Sequence, residues 1–184
     1  MTAKVTELFK NKWNTVVEKE MDNGCRYVYN KAEWCNSQGV AILPFRNVVV
    51  NNWGFTEREY LGRFEVCPAH SEEIELCSIT GGMDKEGEAP VLTAWRELIE
   101  EGGYKVPVEN IVYLGTVRPS KASDTTTYLF AVDLGDGFEE VEAVGDGTIG
   151  EEGAYCDWIT GKQLVDAKDP LLHAMVMRLL TTNK

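Results

Sequence analysis

One stretch constrains this chain more than any other: residues 81–104, G-G-M-D-K-E-G-E-A-P-V-L-T-A-W-R-E-L-I-E-E-G-G-Y. A glycine turn leads into an acidic loop, and the loop into a short helix that Pro90 opens at its first position and Gly102 and Gly103 close. At about 100° per residue, Glu97, Glu100 and Glu101 share one narrow face, while Leu92, Trp95 and Ile99, flanked by Val91 and Leu98, share the opposite one. Three carboxylates at this spacing repel one another, and Arg96 balances only part of their charge. The remedy that suits oxygen donors is a hard divalent ion, Mg²⁺ or Mn²⁺, which keeps several waters and bridges to phosphate. Such a site suits phosphate-ester or pyrophosphate cleavage; the bland alternative is a solvated acidic helix face. Ala89 stands where Ser, Thr or Asp would cap the helix better.

Written as G-x5-E-x7-R-E-U-x-E-E-x-G-U, with U a bulky apolar or aromatic residue, the stretch places Gly82, Glu88, Arg96, Glu97, Leu98, Glu100, Glu101, Gly103 and Tyr104 at every fixed position of one motif. In this the chain resembles the Nudix hydrolases. The resemblance implies that Glu97, Glu100 and Glu101 bind the metal, that the Gly81 carbonyl joins them, and that Arg96 braces neighbouring carboxylates, Glu88 among them. It also implies the fold of that family, an α/β/α sandwich with a mixed sheet.

With 184 residues and 43 % hydrophobic content, the chain supports one sizeable core and a small appendage. We expect an N-terminal β extension over residues 1–36 and the main α/β domain over residues 37–184. The net charge of −12 argues against nucleic acid or an anionic membrane as partner. No apolar run reaches spanning length, and residues 1–12 lack the order of a signal peptide, so the expected location is cytoplasmic. Five cysteines, an odd number without dense pairing, suit reduced thiols. Cys67, His70 and Cys77 offer three ligands for zinc but lack the paired C-x-x-C spacing, and read as buried or incidental thiols.

Taken in order, a short polar segment expected to form one or two helical turns precedes strands over residues 13–21 and 25–29. Asp22-Asn23-Gly24 supplies the hairpin turn between them. That hairpin must pack on something: its own domain, a second subunit in a homodimer, or bound adenine. Residues 36–39 read as a linker, 40–45 as the first main strand, 48–50 as a separate paired strand and 60–66 as another. Residues 73–79 alternate as one strand feeding into Gly81 and Gly82, residues 111–114, 125–132 and 155–159 as further strands, and Asp169-Pro170 starts a C-terminal helix. Residues 135–153, acidic and glycine-rich, read as a mobile lid or a disordered connection.

Outside the motif, the N-terminal extension, Pro119 and the order Gly150-Glu151-Glu152-Gly153 before the last strand resemble the ADP-ribose pyrophosphatase branch, although Arg118 and Ser120 depart from its Ser-Pro-Gly type loop. This implies hydrolysis of ADP-ribose or another ADP-sugar to AMP and a sugar phosphate. Alternatives are dinucleoside polyphosphates, FAD or NADH, oxidised nucleoside triphosphates, or a nucleotide-binding module that cleaves nothing. Arg118 and Lys121 are candidates to meet phosphate, Tyr27, Tyr29 and Trp53 to stack on the base. Glu152, with Glu151 as the alternative, is the candidate catalytic base on a closing loop.

Overall fold

The computed structural model describes residues 4–135, 137–144 and 153–182. Strands β1 (Lys4–Lys10), β2 (Thr15–Glu20) and β3 (Arg26–Lys31) form a separate antiparallel three-stranded sheet. A 3-10 turn at Glu33–Cys35 then leads into β4 (Gln38–Val49), the central strand of a seven-stranded mixed sheet. The other members are β5 (Thr56–Val66), β6 (Ile74–Cys77), β7 (Ile79–Gly82), β9 (Val112–Val117), β10 (Thr126–Asp133) and β12 (Tyr155–Thr160). Short strands β8 (Tyr104–Lys105) and β11 (Glu139–Glu140) pair with each other.

β4 explains the architecture. It runs parallel to β10 along one edge, and on the other it pairs first with β7 over Gly39–Ile42, then with β5 over Phe45–Val49. β4 and β5 therefore part, and β6 and β7 fill the opening. Pro44 falls where the partner changes, a place that tolerates a missing N–H donor. Because the strand is covered on both faces, its apolar run is continuous rather than alternating. Val40 and Ile42 pack towards helix α1 (Pro90–Glu100), with Ala94, Leu98, Phe130 and Val132. Ala41, Leu43 and Phe45 pack with Leu164 of α2 (Gly161–Asp166) and Leu172 and Met175 of α3 (Pro170–Thr181). This is an α/β/α sandwich with a mixed sheet and a small N-terminal β extension, as expected from the sequence.

Four local expectations are corrected. Residues 4–10 form a strand rather than helical turns; Asn11 Oδ1 accepts from the backbone of Trp13 and Asn14 at 2.9 and 2.7 Å, turning the chain back so that β1 pairs with β2. Residues 40–49 belong to one strand rather than two, because polar Arg46 bonds Glu59 at 2.7 and 2.9 Å and stacks over the Trp158 ring at 3.9 Å. Residues 74–82 are two strands, broken at Ser78, whose N–H and hydroxyl both donate to Asp169. The buried side of α1 is also turned from the expected one: Thr93, Ala94, Glu97 and Leu98 are buried and Leu92 is 43 % exposed. The helix thus tucks half of its carboxylate face inward. Within the stretch from residue 135 to 153, Val141 N–H donates to the Gly103 carbonyl at 2.9 Å, and Glu139 and Glu140 pair with β8. Among the described residues no helix is long and apolar enough to cross a membrane.

Candidate metal and substrate site

The end of β7 and the C-terminal half of α1 form the two sides of a cleft of about 370 Å³, lined by Trp34, Thr80, Gly81, Gly82, Asp84, Arg96, Glu97, Glu100 and Glu101. Sequence proximity does not force this contact. The apolar residues of α1 dock it across β4 and β7, and that docking swings Glu97 against the strand. Gly81 is needed there, because a Cβ in its place would run into the Glu97 carboxylate. Gly82 is needed for a second reason: the Trp34 ring lies where its Cβ would be.

Each glutamate has a distinct setting. Glu97 is buried at 8 % exposure and meets Arg96 at 3.0 Å. Glu100 is more open and accepts from the same guanidinium at 3.2 Å. Glu101, just past the helix, pairs at 3.2 Å with Arg63 of β5, itself only 5 % exposed, and Arg63 also bonds Glu65 at 2.7 Å. Arg96 further faces Glu88 at 3.8 Å and Asp84 at 3.9 Å, while Thr93 donates to Glu88 at 2.7 Å. Burial works against both arginine charges. The surrounding carboxylates outweigh it, Glu97, Glu100 and Glu88 around Arg96, Glu101 and Glu65 around Arg63, and hold both guanidinium groups above their ordinary range.

Within the cleft lining stand four carboxylates and one guanidinium, a formal excess of three negative charges. Its donors are oxygens on rigid elements, and the Gly81 position admits no side chain between strand and helix. That donor set fits a hard divalent cation.

A second cleft of about 740 Å³ adjoins the first through Asp84 and is lined in part by Gln38, Glu88, Pro90 and Tyr128. Each of the two has the dimensions of a small-molecule site.

The structure brings Glu97, Glu100, Glu101, Arg96 and Gly81 together. It does not bring the sequence-derived aromatic candidates to them. Trp53 is 88 % exposed at the tip between β4 and β5. β4 carries that tip away from the Gly39–Gly82 pair for ten residues, roughly 30 Å at strand rise. Tyr27 and Tyr29 stack at 6.5 Å on the N-terminal sheet, and the Tyr27 hydroxyl donates to the Lys121 carbonyl at 2.7 Å. Arg118 and Lys121 are exposed and pair with no carboxylate among the described residues. Glu151 and Glu152 lie outside the described residues.

Three lining or supporting residues escape sequence reasoning. Trp34 reaches the cleft from the 3-10 turn, held edge-on by Trp13 at 5.9 Å, and nothing local announces it. Asp84 is one more acid in an acidic loop. Arg63 did leave a signal: a charge at an inward position of an apolar strand, Tyr60-Leu61-Gly62-Arg63-Phe64, requires a buried partner.

No family model matches the chain, and no curated protein matches it either. Solved structures do. An ADP compounds hydrolase is 19 % identical and aligns over 99 % of this chain and 95 % of its own, with a TM-score of 0.66. A Nudix hydrolase from Nitrosomonas europaea is 17 % identical over 80 % of this chain and 90 % of its own, at 0.56. The Nudix domain of Shewanella oneidensis NrtR, solved in complex with ADP ribose, is 14 % identical over 77 % and 87 %, at 0.50. The fold is therefore the Nudix fold.

Proposed function

We propose that this protein is a divalent-metal-dependent Nudix hydrolase that cleaves the pyrophosphate of a nucleoside diphosphate linked to another group, with ADP-ribose or another ADP-sugar as substrate. The observation that carries this reading is the convergence of all three motif glutamates on one cleft beside Gly81, whose lining holds more carboxylates than cations. The similarity in fold to an ADP compounds hydrolase and to a domain bound to ADP ribose supports the choice of substrate.

A bound Mg²⁺ or Mn²⁺ would supply charge neutralisation at the phosphoryl oxygens and a more acidic water. Glu97, Glu100 and Glu101, with the Gly81 carbonyl, would hold it. Arg96 fixes Glu97 and Glu100 relative to each other, and Arg63 fixes Glu101 from the far side. The oxygen of an activated water forms a new bond to one phosphorus while the bond from that phosphorus to the bridging oxygen breaks, giving AMP and a sugar phosphate. Glu152, with Glu151 as the alternative, is proposed to take the proton from that water, and comparing Glu152→Gln with Glu151→Gln for rate at saturating substrate identifies it. Trp34, which lines the metal cleft and packs edge-on against Trp13, is proposed to stack on the base. We further propose a homodimer that covers β1, whose Val5, Leu8 and Phe9 are each at least half exposed.

A panel of ADP-ribose, other ADP-sugars, dinucleoside polyphosphates, FAD, NADH and nucleoside triphosphates, assayed for AMP or pyrophosphate release with Mg²⁺ and Mn²⁺, tests this reading. ADP-ribose or an ADP-sugar is expected to be the preferred substrate. Turnover of triphosphates alone would overturn the substrate, and binding without product from any compound would overturn the enzymatic reading.

A further inference from the structure

Away from the glutamate cleft, β5 and β6 carry a second group of potential ligands. Cys67 follows the end of β5 and Cys77 ends β6, and their Sγ atoms are 3.3 Å apart. Glu65 completes the group: one carboxylate oxygen and both sulfurs lie within 4.8 Å of one another, and all three residues are half-buried. The strand geometry accounts for the cluster. Glu65 and Cys67, two residues apart, alternate onto one face, and the antiparallel register sets Arg63 opposite Cys77, which makes Glu65 the diagonal neighbour of Cys77; Cys67, beyond the paired residues, comes back to Cys77 where the chain curls into the turn that His70 and Ser71 make with the Cys67 carbonyl.

We propose that Cys67, Cys77 and Glu65 form a binding site for a thiophilic divalent cation, Zn²⁺, distinct from the oxygen-lined site on α1. Three protein ligands leave a fourth tetrahedral position for water. Two thiolates bound at about 2.3 Å in tetrahedral geometry stand roughly 3.8 Å apart, so the pair need open only by about half an ångström. Donor chemistry separates the two sites, since thiolates select zinc while carboxylates and carbonyls suit magnesium and manganese. The outer partner is already in place: Arg63 Nε donates to Glu65 Oε2 at 2.7 Å, orienting the carboxylate while its other oxygen remains to serve as ligand. Binding releases two thiol protons to solvent; the two thiolates and the carboxylate then carry −3 against the cation's +2, and Arg63, shared with Glu101, lies beside the residual charge. The sequence reads Cys67 and Cys77 as buried or incidental thiols rather than a zinc site with His70; the fold brings Glu65, not His70, to the two cysteines.

The test uses the full chain, reduced with a phosphine, stripped with a chelator and kept free of oxygen. Zn²⁺ is added in excess Mg²⁺, bound metal is counted, and accessible thiols are alkylated and mapped by mass spectrometry. The expected result is that Zn²⁺ protects Cys67 and Cys77 and leaves exposed Cys25 reactive. Co²⁺ in its place should give a thiolate-to-metal charge-transfer band that Cys77→Ser abolishes, and Glu65→Gln should weaken Zn²⁺ binding about 10-fold or more. Equal alkylation of Cys67 and Cys77 with and without Zn²⁺ would overturn the proposal, as would a charge-transfer band that persists in folded Cys77→Ser. Should that variant fail to fold, protection in the unsubstituted protein decides alone. None of these readouts depends on turnover, so the zinc site and the proposed hydrolase activity stand or fall separately.

Discussion

The carboxylate edge of α1 and the aromatic wall that the N-terminal sheet brings to it are built on different length scales. All the proposed ligands of the first lie within residues 81–101, so helix pitch sets which of them share a face, while docking of α1 on β4 and β7 and the room at Gly81 set how they meet the strand. The second depends on contacts far apart in sequence: Trp13 against Trp34, Trp34 against Gly82, and Asn30 bonded to Ala122 and Asp124 of a distant loop at 2.8 and 3.1 Å. The first is half-buried; the second belongs to a sheet that buries Thr15 and Val17 of β2 and leaves β1 exposed along its whole length. Under the proposed function, α1 would carry the bond-breaking step and the N-terminal region would govern how substrate is held.

Arg63→Met should produce the largest change, because it leaves Glu101 and Glu65 without a buried cation. We expect a loss of about 3–5 kcal/mol in denaturant unfolding. This variant sharpens the comparison, since it shows that even the local edge leans on one remote strand; a stability near that of the unsubstituted protein would show that it does not. Next, Glu97→Gln should lower kcat by roughly 10²–10³, about 2.7–4 kcal/mol, with little change in the melting transition. Gly81→Ala should follow: its methyl group meets the Glu97 carboxylate, costing about 1–3 kcal/mol in thermal unfolding and displacing a ligand. A stable, fully active Gly81→Ala protein would break the claim that close approach of strand and helix shapes the site. The smallest effect is expected from Trp34→Ala, a loss of about 0.5–1.5 kcal/mol appearing as a several-fold rise in KM with kcat nearly unchanged. A fall in kcat instead would remove the distinction between the two regions.

These length scales also decide what could be read from the sequence. The glutamates, Arg96 and Gly81 were legible because the spacing along a helix fixes a shared face, and the helix bounds, Pro90–Glu100, follow from residues within it. The inward turn of Glu97 was not, because it depends on how α1 docks on β4 and β7. β4 was read as two strands because Arg46 and Asn47 interrupt an apolar run, although Trp158, more than a hundred residues later, gives Arg46 a ring to lie on. Trp53 is a stacking candidate by residue type, whereas nothing in the sequence singles out Trp34. Only the ten-residue course of β4 past the site separates them. Cys67 and Cys77 meet because the chain turns back on itself just past the end of β5, which spacing in the sequence does not reveal.

The most direct test of the central claim is AMP release from ADP-ribose as Mg²⁺ is titrated, comparing the unsubstituted protein with Glu100→Gln. Glu100 is the most open of the three glutamates and the one whose replacement least disturbs packing. The account predicts that release requires the cation and falls by roughly 10²–10³ in the variant while its melting temperature holds. Release that is independent of added cation, or equal in the two proteins, would contradict it.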